Sequence, residues 1–138
     1  MGKIIIKEYE TFRETEVLSL YKSVGWSAYC SQPQVLRRAF ENCLCTLAAW
    51  EEDRLAGLIR CVGDGQTIVF IQDILVDPAF RRRGIGTMLI GTIRERYTHV
   101  RQMHLLTDDL PETVGFYKAT GFTPAEEVRC RAFTRLRY

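Results

Sequence analysis

The residues best suited to chemistry lie where an apolar run, residues 68–76, gives way to a basic, glycine-rich turn. This turn extends from Arg81 to Thr87, contains three arginines together with Gly84 and Gly86, and is followed by a helical pattern. Glycines let the backbone approach a ligand closely, and free amides at a helix start lie at the positive end of the helix dipole. The segment therefore predicts a cradle for a diphosphate, which arginine side chains would strengthen.

Two common phosphate-binding motifs do not match this turn. A P-loop requires lysine and then Ser or Thr after its last glycine, but Thr87 follows Gly86 directly. A dinucleotide fingerprint requires a third glycine at the position that Leu89 occupies. The remaining alternative is an ordinary tight turn with solvated arginines, which two glycines alone would fit equally well.

Composition narrows the class of protein. A chain of 138 residues predicts one domain, residues 1–138, and a formal charge of +2 is too small for a dedicated nucleic-acid-binding protein. The longest nearly apolar stretch, residues 43–50, is far shorter than the roughly 20 residues that span a bilayer. The N-terminus matches neither a signal peptide nor a myristoylation motif. We expect a soluble cytoplasmic protein that binds no membrane and no nucleic acid.

The five cysteines indicate neither disulfides nor a metal. They form no Cys-x-x-Cys pair, and His99 and His104 lie far from any cysteine pair in the sequence. We expect reduced core thiols and no structural metal. A covalent cysteine mechanism is disfavoured, because no cysteine has a neighbouring histidine or basic cluster that would lower the pKa of its thiol.

Hydrophobic periodicity predicts the elements that would position the turn. Capping boxes at 11–14 and 31–34 precede two helical patterns, a third helix follows Gly84, and Asp109 is placed to cap a helix from Pro111 to Thr120. Strands are predicted over 4–9, 45–50, 55–62, 67–76, 103–107 and 128–137. The order predicts an α/β fold whose mixed central sheet has about six to seven strands, antiparallel at first, with about four helices on both faces.

Two motifs resemble those of the GNAT acyltransferase superfamily. Arg81-x-x-Gly84-x-Gly86, after the strand end at 75–78, resembles the acetyl-CoA signature of that family, and the segment from Gly115 to Phe122 resembles its later motif. One predicted helix and one strand separate the two motifs, in the expected order. The resemblance covers about residues 67–122 by motif and the whole chain by element order, and it implies that the two central strands splay apart.

The resemblance implies acetyl-CoA as co-substrate, bound without a metal. Main-chain amides from 82 to 87 would hold the diphosphate, and the strand end at 75–76 would pair with pantetheine, with the Val76 amide facing the developing oxyanion. The implied cofactor-binding residues are Leu75, Val76, Arg81, Arg82, Arg83, Gly84, Ile85, Gly86, Thr87 and Phe116. One departure concerns pantetheine contacts: many relatives carry Asn in the loop before the last helix, where this chain has residues 108–111 reading Asp-Asp-Leu-Pro.

The implied reaction is transfer of an acetyl group from acetyl-CoA to a primary amine, in particular a small molecule, by direct attack in a ternary complex. An alkylamine with a pKa of about 10.4 is only about one part in 2,500 neutral at pH 7, so a base or proton path is useful. Asp73, the lone carboxylate of the run 68–76, is a candidate for binding or deprotonating the amine through water. Its alternative is a hydrogen-bonded structural carboxylate. Tyr117 is the candidate acid for the leaving thiolate, with core packing as its alternative.

The acceptor side is less defined by the sequence. Trp26 and Tyr29, between the first two helices, are candidate walls of the acceptor site or else hydrophobic staples. Gln72, next to Asp73, is a further candidate for substrate binding. Two other functions remain open: a non-catalytic acyl-CoA sensor, and a module that binds nucleic-acid phosphates through its arginines. An exposed final strand would also allow two copies to pair as a homodimer.

Overall fold

The computed structural model describes residues 2–137, which divide into two compact units. The first unit ends at Leu106 and the second begins at Thr107. The first unit carries a mixed five-stranded sheet, and the second carries one α-helix and one 3₁₀ turn within its described residues.

The sheet has the strand order β1-β2-β3-β4-β5. The first four strands are antiparallel, and β5 pairs with β4 in parallel, as expected for a mixed sheet. The strands are β1 (Ile4–Glu8), β2 (Cys45–Glu51), β3 (Arg54–Gly63), β4 (Ile68–Val76) and β5 (Gln102–Leu105), and the helices are α1 (Glu14–Ser23), α2 (Ser27–Cys30), α3 (Pro33–Glu41) and α4 (Ile85–Arg96), with α5 (Pro111–Ala119) in the second unit.

Helices cover both faces of the sheet. Neighbouring residues of a strand point to opposite faces, and Gly57 and Leu58 on β3 show this directly. A Cβ atom on Gly57 would lie 3.3 Å from Ile85 of α4, whereas Leu58 packs in a buried cluster with Val17 of α1 and Leu36 of α3. The prediction of helices on both faces is therefore confirmed, with α1 and α3 on one face and α4 on the other.

The strand predicted over residues 128–137 is wrong. Val128 closes a 3₁₀ turn, Ala125–Val128, Arg129 has a φ of 61°, and no strand follows in the described chain. Alternation of side chains is a necessary feature of a strand, but a strand also needs a neighbour for its main-chain hydrogen bonds. Phe133 is left 90% exposed. The described sheet thus has five strands where six to seven were predicted, and there are five helices where about four were predicted.

The predicted capping interactions are also wrong. Helix α1 begins at Glu14 without a side-chain cap, and just before it the Tyr9 hydroxyl accepts a bond from the Arg13 amide and donates one to Glu16. The Ser31 hydroxyl bonds to the carbonyl of Ala28 instead of capping α3. Before α5 it is the side chain of Asp108, and not of Asp109, that accepts a bond from the Leu110 amide.

The cysteines are all free, but they do not share one environment. Cys45 and Cys61 are buried opposite each other on β2 and β3, Cys30 and Cys43 are half-buried, and Cys130 is exposed, so the expectation of a core thiol is wrong for Cys130. Burial raises the pKa of the Cys61 thiol to about 12. Among the described residues no group of three or more His, Cys, Asp or Glu is arranged to hold a metal ion. None of the described helices is both long enough and apolar enough to cross a membrane.

The close approach of β3, β4 and α4 at Gly57 gives a test of the fold. A Cβ at this position would lie 2.8 Å from the Leu75 carbonyl oxygen, which is main chain and cannot move aside cheaply. We expect Gly57→Ala to lower the free energy of unfolding by about 1–3 kcal/mol in urea titrations. Gly91→Ala, on the open face of α4, is the matched control and should stabilise by about 0.5–1 kcal/mol. Equal effects of the two substitutions would contradict the packing described here.

Candidate functional site

A β-bulge divides β4 at Gln72. Opposite it on β3, Arg60 pairs with Asp73 and the next residue, Cys61, pairs with Ile71, so that Gln72 is an extra residue on β4. The parallel pairing of β4 with β5 ends at the same point, with Ile71 opposite Leu105. Beyond the bulge, no described strand pairs with the outer edge of β4. The main-chain groups at the outer edge of β4 beyond Gln72 are therefore unpaired among the described residues, and this is the edge where the resemblance implies splayed strands.

The open edge of β4 exposes the main-chain groups of alternate residues. The Asp77 amide donates a 2.8 Å hydrogen bond to the Ala56 carbonyl, toward β3. Main-chain groups alternate in direction along a strand, so those of Leu75 also point toward β3, while those of Ile74 and Val76 point to the open edge. The orientation of the Val76 main chain fits its predicted role, whereas the main-chain groups of Leu75 face β3 and those of Ile74 lie at the open edge.

The turn after β4 adopts a backbone conformation suited to an anion. Asp77 caps a 3₁₀ turn, Pro78–Phe80, by accepting a bond from the Ala79 amide. Arg82 and Gly84 then have φ values of 62° and 74°, in the left-handed region, and Gly84 directly precedes α4. Left-handed residues among right-handed ones turn successive N–H groups toward a common concave side.

Six consecutive amides in this turn lack a partner within the described chain. The flanking amides are bonded, from Arg81 to the Pro78 carbonyl at 3.3 Å and from Met88 to the Gly84 carbonyl at 3.0 Å. Between them, no bond donated by an amide of residues 82–87 is present among residues 2–137. Because α4 begins at Ile85, its first amides add to those of the turn. The predicted amide row is therefore free, and its donors fit a diphosphate.

The three arginine side chains of the turn differ. Arg81 and Arg82 are exposed. The Arg83 guanidinium instead forms an ion pair with Glu51 at 2.7 Å and donates to the Gly2 carbonyl at 2.6 Å. Arg83 can thus serve a ligand through its amide, while its side chain holds the turn against the sheet.

Asp73 lies in a buried polar network. Its Oδ2 accepts bonds from Arg60 Nε at 2.8 Å and from the Tyr21 hydroxyl at 2.8 Å, and Arg60 Nη2 lies 2.6 Å away. Its Oδ1 accepts a 3.3 Å bond from the Tyr29 hydroxyl. Asp73 and Arg60 are 3% and 5% exposed. With its charge neutralised and both oxygens bonded, Asp73 has the contacts of the structural alternative.

The electrostatics of the network follow from burial and from this ion pair. Burial is the largest single effect and lowers the pKa of Arg60, but the charge of Asp73, together with Tyr21 and the hydrogen bonds to both, outweighs burial, so the pKa is raised. Burial and then the charge of Asp73 raise the pKa of Tyr21, and the same two causes raise that of Tyr29. Both hydroxyls therefore keep their protons at neutral pH and act as donors toward the carboxylate.

Trp26 and Tyr29 join this network from the side of α2. The Tyr29 ring packs edge-on against Tyr21, with ring centroids 5.2 Å apart, and the Trp26 ring lies 5.9 Å from Tyr21. Both residues are half-buried, while Gln72 at the bulge is exposed. The structure thus brings Trp26, Tyr29 and Asp73 together in the first unit, and Tyr29 is the half-exposed member that contacts Asp73 directly.

Phe116 and Tyr117 belong to the second unit. Both lie on α5 and are half-buried, and the Tyr117 ring packs against Phe116 and Phe122 with centroids 5.0 and 6.1 Å apart. Burial, and then the charge of Asp108, raise the pKa of Tyr117. Its hydroxyl is therefore protonated at neutral pH, as a general acid requires.

Sequence reasoning missed four residues of the first unit: Tyr21, Glu51, Arg60 and Ile74. Arg60 had a visible signal, because it is the one charge in the apolar stretch 55–62, just as Asp73 is in 68–76. Opposite lone charges in two adjacent antiparallel strands predict an ion pair. Tyr21, Glu51 and Ile74 had no such signal, because their contacts depend on register and on the bulge.

Comparison with known proteins identifies the family. The model of the Acetyltransferase (GNAT) family matches residues 9–122, and the chain belongs to this family. An uncharacterized N-acetyltransferase ycf52-like of Prochlorococcus marinus is 27% identical over 126 residues, which cover 86% of this chain and 67% of that protein. A second relative, ycf52 of Gracilaria tenuistipitata, is 31% identical over 110 residues, and the match covers 75% of this chain but 58% of that protein.

Solved structures agree with this assignment. A GNAT family acetyltransferase of Streptococcus pneumoniae matches with a TM-score of 0.87 at 33% identity, and the match covers 98% of each chain. The aminoglycoside N-acetyltransferase AAC(6')-Iy, solved in complex with CoA, matches with a TM-score of 0.69 at 19% identity over all of this chain and 96% of that one. This second likeness shows a shared fold.

The Arg60–Asp73 pair gives a test of the network. Asp73→Asn leaves the guanidinium buried without its counter-charge, so we expect the free energy of unfolding in urea to fall by about 3–5 kcal/mol. The double variant Arg60→Met with Asp73→Leu removes both charges and should recover more than half of that loss. If Asp73→Asn unfolds at the same urea concentration as the wild type, Asp73 is not the buried partner described here.

Proposed function

We propose that the protein is an acetyl-CoA-dependent N-acetyltransferase whose acceptor is the primary amine of a small molecule. One observation carries this proposal: a row of six free amides leads into α4, one short 3₁₀ turn after β4, whose outer edge beyond Gln72 pairs with no described strand. The chain spans 67% and 58% of the two relatives named above, so the activity is proposed for the matched region.

The free amides would hold the diphosphate of the cofactor. Donors already aimed at the anion need no reorganisation on binding, and the dipole of α4 adds a favourable field. Residues 82–87 would contribute their main-chain N–H groups, and the exposed guanidiniums of Arg81 and Arg82 would add charge-assisted contacts. This arrangement uses the main chain of Arg83 and leaves its side chain with Glu51.

The open edge of β4 would hold the pantetheine arm as an added strand. Ile74 and Val76 offer the outward main-chain groups for this pairing, in the way that an extended peptide adds to a sheet edge. The Val76 amide would then donate to the thioester oxygen as negative charge develops on it. The thioester would therefore lie beside Val76 at the open edge of β4, beyond the point where the pairing with β5 ends.

The reaction is direct attack in a ternary complex. The neutral amine nitrogen attacks the thioester carbonyl carbon, the C–S bond breaks, and the nitrogen loses a proton to water. The departing thiolate takes a proton, for which the family resemblance suggests Tyr117 as donor. Phe116 is proposed from the same motif as a cofactor contact.

The acceptor would bind on the face that carries α1 and α2. Trp26, Tyr29 and Gln72 are the proposed contacts, and we propose that Asp73 fixes the Tyr29 hydroxyl through their hydrogen bond. The contacts favour this role over direct proton abstraction, because Arg60 already pairs with the carboxylate. The free thiols are in keeping with a reaction in the cytoplasm, where cysteines stay reduced.

Acetyl-CoA binding tests the amide row. We expect saturating acetyl-CoA, at 100 times its Kd, to stabilise the wild type by about 2.7 kcal/mol. Gly84→Ala places a side chain at a φ of 74°, which costs about 1–2 kcal/mol and distorts the turn, so the Kd measured by calorimetry should rise roughly tenfold. Gly25→Ala is the matched control, because Gly25 has a φ of 83° and equally open surroundings. It should destabilise the fold similarly and leave the Kd unchanged.

A thiol-release assay across a panel of small amines separates an enzyme from an acyl-CoA sensor. Release of free CoA that depends on one class of amine supports the proposal. Binding of acetyl-CoA without turnover on any amine would favour the sensor. If acetyl-CoA gives no heat of binding in calorimetry and no thermal stabilisation, while oligonucleotides bind in a salt-sensitive way, the module that binds nucleic-acid phosphates would be favoured.

Tyr117→Phe tests the proposed acid. A thiol with a pKa of about 8.5 is already a fair leaving group, so kcat should fall roughly 10²-fold or less while acetyl-CoA affinity is kept. Tyr97→Phe, which removes a hydroxyl at the end of α4, is the control and should keep kcat. Because the pKa of Tyr117 is raised, any alkaline loss of activity due to its ionisation should begin only above about pH 10. Loss of folded Tyr117→Phe protein would assign Tyr117 to packing.

A further inference from the structure

Glu51, Arg83 and Gly2 form a closed set of three hydrogen bonds beside the amide row. Arg83 Nη1 lies 2.7 Å from Glu51 Oε2, and Arg83 Nη2 donates to the Gly2 carbonyl at 2.6 Å. The Gly2 amide in turn donates to the same Glu51 oxygen at 2.9 Å. Each partner therefore fixes the other two, and Arg83 is held through both of its terminal nitrogens.

This set ties the turn to the sheet. Glu51 ends β2 and pairs in register with Ile4 of β1, so its backbone belongs to the ordered sheet. Arg83 lies between Arg82 and Gly84, the two left-handed residues of the turn. Its guanidinium also lies 5.5 Å from the centre of the buried Phe80 ring. The side chain of Arg83 thus anchors the middle of the segment whose amides are free.

We infer that Glu51 is a positioning residue for cofactor binding, which holds the amide row of residues 82–87 in shape through Arg83 and never touches the cofactor itself. The inference rests on the proposed function, because it concerns the segment that would hold the diphosphate. Glu51 lies more than 30 positions before that segment in the sequence, and it belongs to neither of the two motifs that resemble the family.

The surroundings of the ion pair support this role. The side chains of Glu51 and Arg83 are 19% and 17% exposed, so water screens their attraction less than at an open surface. The hydrogen bond from Arg83 lowers the pKa of the Glu51 carboxyl, which therefore stays charged at neutral pH. A Cβ on Gly2 would lie 2.8 Å from Glu51 Cγ, so the segment just before β1 also packs closely on the Glu51 side chain.

Positioning and simple electrostatics predict opposite results at Glu51. CoA is a polyanion, so removal of a nearby negative charge should by itself tighten binding. If the Arg83 side chain instead contacted the phosphates directly, loss of its bond to Glu51 would free the guanidinium for that contact. Binding of CoA would then tighten as well. If Glu51 shapes the amide row, its removal loosens the turn and binding weakens.

The experiment compares Glu51→Gln with Glu8→Gln by calorimetry with acetyl-CoA. We expect Glu51→Gln to raise the Kd roughly tenfold, since hydrogen bonds to charged groups contribute strongly to the order of the turn. In turnover assays KM for acetyl-CoA should rise to the same extent while kcat changes less than about twofold. Glu8→Gln removes the same charge and breaks the 2.9 Å pair with Arg96 at the other end of α4, and its Kd should stay unchanged.

Arg83→Lys provides a second variant that keeps the positive charge but cannot make both bonds. It should weaken binding about as much as Glu51→Gln, and the double variant should weaken it no further, because both substitutions break one contact. Unchanged or tighter binding in Glu51→Gln would overturn the inference, as would additive losses. If the wild type itself fails to bind acetyl-CoA, the proposed function fails. If the wild type and the Glu51→Gln variant bind acetyl-CoA equally well, only the positioning role of Glu51 is ruled out.

Discussion

The structure of the first unit depends on main-chain groups that the protein leaves without partners. A folded chain normally pairs its amides and carbonyls, because an unpaired group away from water is costly. Here the outer edge of β4 beyond Gln72 and the amides of residues 82–87 are both left free among the described residues, and they follow each other along the chain. A flexible thioester carrying linked phosphates would satisfy both sets at once. In the proposed function, specificity for such a cofactor would therefore reside in backbone geometry, and side chains would serve to maintain that geometry.

Two ion pairs maintain this backbone geometry from opposite sides. Arg60 and Asp73, buried between β3, β4 and the first helices, fix the two tyrosines that line the α1 face. Arg83 and Glu51 fix the turn against the end of β2. Arg60 and Asp73 join the adjacent strands β3 and β4, whereas Arg83 and Glu51 join the turn before α4 to the end of β2. In the proposed function, the first pair would lie on the acceptor side and the second on the cofactor side.

Local patterns in the sequence predicted most of the fold. Strand periodicity and the turn at Gly63–Gly65 predicted β2, β3 and β4 to within a few residues, and Gly84 correctly preceded α4. The bulge at Gln72 could not be predicted, because the burial pattern along β4 keeps its odd-numbered residues buried on both sides of it. The prediction of a terminal strand was wrong for a different reason. Its side chains do alternate in type, but strand pairing depends on a neighbouring strand that no local sequence pattern reveals. The candidate site divides in the same way. The free amides were predicted from the spacing of the glycines, whereas the contacts of Tyr21, Glu51 and Ile74 depend on how the strands pair in register.

The extra residue at Gln72 also changes which side of the sheet each half of β4 serves. Before it, Ile71 lies opposite Cys61, on the side of α4; after it, Asp73 lies opposite Arg60 and Leu75 joins the cluster under α1. Residues of the same parity thus face opposite layers within a single strand of nine residues. If β4 alternated regularly through Gln72 with no residue removed, Asp73 would face the same side as Ile71 and would lose its contacts with Arg60, Tyr21 and Tyr29. The bulge is therefore what gives this carboxylate its partners on the side of α1.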